Sequence, residues 1–163
     1  MYNVFQKISL IAICLLLLSA GCNKQSPAPH TATDDSGTQY NRQLKIGDKI
    51  LDVQVVTTPV DMEQGLSGRP SMADNQGMLF GFGVATGQDF WMKDMDFDLD
   101  FIWIKNNSVI FITKDVAKPN PGTPDEQLPT YSPPSPVDMV LEVNAGWAER
   151  NKIKTGDEAR LIN

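Results

Sequence analysis

Seven of the chain's eleven prolines fall between Ala117 and Pro136. No central β-strand can run through that stretch, because proline cannot donate to a sheet ladder. On either side of it the apolar residues come in short runs with a period of two. Leu51, Val53 and Val55 alternate with Asp52 and Gln54 ahead of it, and Val137, Met139, Leu141 and Val143 share one side after it. The same reading expects strands at 44–46, 77–82, 89–93, 101–104 and 109–113. Lys105-Asn106-Asn107-Ser108 is a hairpin signal, and the strands flanking it are apolar on both faces, as expected near a sheet centre. Thr58-Pro59-Val60-Asp61 reads as a helix start: an N-cap, a proline at the first helical position and an acid in the first turn. Gly65 and Gly68 should end that helix quickly. Asn144 is expected to cap a second short helix ending near Asn151, and 153–162 to be strand material broken by a turn at Gly156-Asp157. Many short strands and two brief helices predict a mainly β fold, a single sandwich or barrel over residues 44–163.

The start of the chain has a different character. Ile8 to Leu18 is apolar apart from Ser9, a length that suits a signal-peptide core and falls short of the ~20 residues that span a bilayer. The run ends in Leu18-Ser19-Ala20-Gly21-Cys22, which resembles a bacterial lipobox, although leucine is more usual where Ser19 stands. Residues 1–21 are therefore expected to be removed, and Cys22 to carry the lipid, palmitate included. Residues 22–43, dominated by Ser, Thr, Asp, Pro and Gly, should form a flexible linker, with His30 solvated within it. The expected address is the cell envelope. Asn23, by resemblance to the sorting rule of enteric bacteria, favours the periplasmic face of an outer membrane where there is one.

Charge and cysteine count narrow the function classes. A formal net charge of −6 argues against nucleic acid as a partner, since neutralising phosphates needs a basic surface. With Cys14 in the signal and Cys22 lipidated, the folded part has no thiol for a disulfide or a metal, and a single histidine leaves no Ser-His-Asp or Cys-His machinery. No cofactor is expected, and a monomer is the expected state.

Several short runs occur in a recognisable order: Glu63-Gln64-Gly65-Leu66 with Arg69, Gly77-Met78-Leu79-Phe80, Phe90-Trp91-Met92-Lys93 and Leu99-Asp100. They continue with Pro129-Thr130-Tyr131, Leu141-Glu142 with Asn144-Ala145-Gly146, and Ile153-Lys154 with Gly156-Asp157. Together they resemble the bacterial and archaeal family known as domain of unknown function 192, over about residues 50 to 160. The resemblance implies a jelly-roll-like β-sandwich, often exported or lipid-anchored, and no established reaction. Asp94-Met95 stands where the family usually has Asn-Thr, Asp98 replaces a proline, and Gly122 and Leu128 take the places of a cysteine pair found in many members. Asn151 occupies the position of a helix-ending glycine.

Six residues stand out as candidates for a ligand site: Arg69, Trp91, Lys93, Asp100, Tyr131 and Glu142. Alternation puts Trp91 and Lys93 on one strand face, either as an aromatic platform beside a positive charge or as a core indole with a lysine snorkelling past it. Glu142 faces away from Leu141 and Val143, so it meets solvent or lines a site; with Arg69 it suits an ion pair or a polar pocket. Tyr131 either closes over a groove or pins the proline-rich loop. Asp94, Asp96, Asp98 and Asp100 at period two would hold a Ca²⁺ on a strand, or form a solvated loop; no metal site is expected of them. Three functions fit: a ligand-binding module, an envelope interaction domain, or a hydrolase of cell-wall or glycan material using Asp100 and Glu142 as a carboxylate pair.

Overall fold

The computed structural model describes residues 32–33 and 39–162. Residues 1–31, with the expected signal segment, Cys22 and His30, lie outside the described residues, as does most of the expected linker. In chain order the elements are β1 (Ala32–Thr33), β2 (Gln39–Tyr40), β3 (Arg42–Ile46), β4 (Lys49–Val56), α1 (Pro59–Gln64), β5 (Gln76–Thr86) and β6 (Phe90–Trp91). They continue with β7 (Leu99–Lys105), β8 (Ser108–Val116), β9 (Thr130–Tyr131), β10 (Val137–Asn144), α2 (Trp147–Arg150) and β11 (Ala159–Leu161). The fold is mainly β with two short α-helices, as its patterning predicts. None of the described helices is long and apolar enough to cross a membrane.

One sheet of seven strands, in the order β11-β3-β4-β5-β10-β7-β8, organises the molecule. It curls until its two ends meet: Val109 N donates to Asp157 O at 2.9 Å, Gly156 N to Val109 O at 2.8 Å, and Ala159 N to Asn107 O at 2.8 Å. Inside the curl lies one core, with Leu44, Ile46, Leu79, Ile102, Leu141 and Trp147. On the outer face a second core gathers Met78, Phe80, Phe90, Phe101, Trp103 and Val140. Two cores on one sheet explain the unbroken apolar run of β7, buried from Leu99 to Ile104. The β7–β8 hairpin turns through Asn106 and Asn107, both at positive φ (50° and 59°), the geometry of a type I′ turn that asparagine tolerates. Its second strand departs from expectation: β8 ends the hydrogen-bonded order and leaves Phe111 45% exposed.

Helix α1 forms as its sequence dictates. Thr58 Oγ1 accepts from Asp61 N at 3.2 Å, and Gly65 ends the helix at φ 51°. Its brevity lets it cross between β4 and β5, which pair in parallel. Three expectations need correction. Strand pairing starts before Leu44: β3 begins at Arg42, and Tyr40 is 1% exposed. The polar pair Gln43 and Asp52 sits directly across the β3–β4 ladder, with Gln43 Nε2 donating to Asp52 Oδ1 at 3.1 Å, so composition hides a strand the backbone still builds. Asn144 does not cap α2. Its Nδ2 donates to Met72 O at 2.7 Å, and the N-cap is Gly146 in the left-handed region. Asn151 is not left-handed either; it has φ −96°, while Lys152 takes φ 58°.

The amides at the start of α2 are satisfied by Asp100. This fully buried carboxylate accepts from Ala148 N at 2.9 Å through Oδ2, and through Oδ1 from Gly146 N at 3.1 Å and Asp115 N at 2.9 Å. Asp115 has φ 52° where the β7–β8 register shifts, so one side chain joins strand, bulge and helix.

Candidate functional site

The register of the sheet aligns Gln54 with Met78, Met78 with Glu142, and Glu142 with Phe101. Directly paired residues project to the same face, so these four lie on the outer face with the second core. Glu142 thus points away from Leu141 and Val143, as alternation predicts. It is not solvent-facing: it is 5% exposed among apolar neighbours.

Above it opens a groove of about 570 Å³ between α1 with its following turn, the outer face of β5, and β6. Met62, Leu66, Phe80, Phe82, Phe90 and Met95 form its apolar walls, with Trp91, Thr130, Glu63 and Asp89 among its other lining residues and Glu142 on the sheet at its base. Phe90 fixes the near wall, with ring centroids 5.0 Å from Phe80, 5.7 Å from Phe101 and 5.6 Å from Trp103. The pairs with Phe80 and Trp103 are edge-to-face, an arrangement that contributes roughly 0.5–1.5 kcal/mol each beyond area burial. With Phe90 and Met92 buried, the intervening Trp91 is turned outward and is 44% exposed.

No hydrogen bond from a described residue reaches the Glu142 carboxyl. Burial raises its pKa from 4.5 to about 8, and the nearby Arg69 guanidinium opposes that rise without cancelling it. At neutral pH the groove therefore carries a protonated, unpaired carboxyl.

The remaining candidates fall around this groove rather than in it. Arg69 Nη2 donates to Gln54 Oε1 at 2.5 Å, and its Nη1 is buried without a partner. Lys93 pairs with Asp125, which raises its pKa, and its ammonium lies 5.6 Å from the Trp91 ring centroid, within cation–π range. Tyr131 is held against Phe101 at 5.6 Å, while its strand β9 pairs with β6, Phe90 opposite Tyr131 and Trp91 opposite Thr130. The proline-rich loop thereby reaches the groove through Thr130.

Asp100 does not join them. It pairs with Val143, on the face opposite Glu142, and its oxygens serve backbone amides, so the two do not form a facing carboxylate pair. The acidic row is likewise broken up. Asp94 has φ 54°, Asp98 Oδ1 accepts from Lys118 N at 2.8 Å, and Asp100 alone enters a strand. Among the described residues no group of three or more His, Cys, Asp or Glu side chains could hold a metal ion. Sequence reasoning missed the walls, Met62, Phe82, Asp89 and Met95 above all. Of the residues around them, Glu63 and Leu66 had a signal, as part of the first run in the ordered series of motifs.

A curled mainly β domain with an apolar groove over a buried carboxyl defines the class of protein this is. The chain belongs to the DUF192 family, described as an uncharacterized ACR, whose sequence model matches residues 42–161. Its fold is similar to a protein of unknown function from Novosphingobium aromaticivorans: TM-score 0.69, 24% identity, 82% of this chain and 94% of that one covered. It is also similar to a Sinorhizobium meliloti protein provisionally described as a transcription regulator: TM-score 0.62, 27% identity, 80% of this chain and 90% of that one covered. No curated protein matches at a significant level.

Proposed function

We propose that this chain is a lipoprotein, tethered to an envelope membrane through Cys22, whose β domain binds a small ligand in the groove above Glu142. The observation that carries the binding reading is the unpaired Glu142 carboxyl, 5% exposed, at the base of an apolar groove. Such a carboxyl is left for a ligand to engage, and convergence of a polar group with apolar walls is the usual make-up of a small-molecule site. A groove of about 570 Å³ is within the size range of such sites. Binding is favoured over turnover because Asp100, the other carboxylate considered for hydrolysis, serves the fold from the opposite face.

The groove is tested with the neutral dye Nile red and the variant Thr130→Trp, which places an indole among the groove's lining residues. Dye emission should rise on the wild-type chain, and the variant should weaken binding about tenfold or more. Equal affinity in the two proteins places the dye elsewhere and removes the groove from the account.

The tether makes a separate prediction. Cys22→Ser should leave the signal peptide attached or release the chain from the detergent phase, and labelled palmitate should enter only the wild type. Identical partitioning, with no label in either protein, contradicts the lipid anchor.

A further inference from the structure

Resting on the reading of the groove as a ligand site, we propose that its ligand is an organic cation, a primary ammonium group on a compact apolar body, with the ammonium seated against Glu142. Among the described residues the groove is lined by three acids, Glu63, Asp89 and Glu142, and by no lysine, arginine or histidine. A chain with a net charge of −6 adds a field of the same sign. An anion would meet these carboxylates with no cation in the lining to receive it. Neither nearby cation is among the groove's lining residues: Lys93 is engaged by Asp125, and Arg69 commits Nη2 to Gln54 and holds its unpartnered Nη1 buried outside the lining. Phe80, Phe82 and Phe90 supply walls for an apolar body, and a buried carboxyl with no internal hydrogen bond is the one group that an N–H donor would satisfy completely.

The seating involves a proton. Near neutrality Glu142 holds its proton, with a pKa of about 8. The charged groups around it are Arg69 from the loop after α1, Glu63 from α1, and Asp89 ahead of β6. Two further titratable residues, Lys93 after β6 and Tyr131 on β9, lie outside the groove's lining. An ammonium that pairs with Glu142 displaces the carboxyl proton to the buffer, one proton for each ligand bound. Below pH 8 its affinity should therefore rise about tenfold for each pH unit.

The test uses calorimetry on the detergent-solubilised full chain with benzylamine, benzyl alcohol and benzoate, at pH 6.5 and 7.5 and in two buffers of different ionisation enthalpy. The expected result is benzylamine binding at least tenfold tighter than benzyl alcohol at pH 7.5, with about one proton released. Benzoate should bind weakest. Glu142→Gln, which keeps the shape of the protonated acid, should erase the preference for the amine and its pH slope while leaving benzyl alcohol bound. Alcohol or benzoate binding as tightly as the amine, or amine affinity indifferent to pH and to Glu142→Gln, overturns the cation while leaving the groove a ligand site. Should none of the three bind, both the cation and the ligand-site reading fall.

Discussion

Asp100→Ala should lower the melting temperature by roughly 10–20 °C. The side chain is fully buried and accepts from three backbone amides, those of Asp115, Gly146 and Ala148. Alanine leaves all three donors without their acceptor, at about 1–3 kcal/mol for each one that finds no substitute. Two of the three belong to the start of α2, whose N-cap is a glycine with no side chain to offer. The helix should therefore loosen along with the β7–β8 bulge. Asp100→Asn retains one acceptor oxygen and should lose about half as much. Scanning calorimetry on the three proteins checks this, and a drop below about 3 °C for the alanine variant would show that the carboxylate is not the joint described.

The second large effect depends on pH. Burial raises the Glu142 pKa from 4.5 to about 8. The unfolded chain, with an ordinary carboxyl, loses that proton near pH 4.5, so between about pH 4.5 and 8 the native state holds one proton more. This contribution to stability is fully present below pH 4.5 and is lost as pH rises to about 8. The folding constant falls by about tenfold per unit across that window. Glutamine has nothing to titrate. Glu142→Gln should match the wild type in acid and exceed it by a few kcal/mol near pH 8.5. Urea unfolding at pH 4.5, 6.5 and 8.5 reads the difference directly. Stability curves that stay parallel across that range would place the carboxyl in water.

These two acids show what was legible in the sequence and what was not. Period-two alternation is local, and it placed Glu142 opposite Leu141 and Val143 and put Trp91 on a different side from Phe90 and Met92. Apolar patterning identified the principal strands of the sheet, turn residues the hairpin through Asn106 and Asn107, and capping residues the start of α1. Long-range pairing is not local. Asp100 reads as one of four evenly spaced acids, because its partners are backbone amides at positions 115, 146 and 148, which no side-chain pattern announces. The groove was hidden for the same reason. It forms only when the turn after α1 and the short β6 fold over a face whose carboxyl comes from β10. Lys93 was expected on the Trp91 side of its segment, and its ammonium lies 5.6 Å from that ring's centroid, whereas the β6–β9 pair that sets Tyr131 opposite Phe90 has no local signal. Their own partners, Phe101 and Asp125, lie in other elements.

The central claim is that the groove holds, at its base, a buried carboxyl with no hydrogen-bond partner among the described residues. Carbon-detected NMR titration of the Glu142 side-chain carboxyl, assigned by its disappearance in Glu142→Gln, tests it most directly. The account predicts a midpoint near 8, far above the ordinary 4.5. A midpoint close to 4.5 would mean that water or a charged partner reaches the group, and the groove would no longer have the feature on which its function is argued.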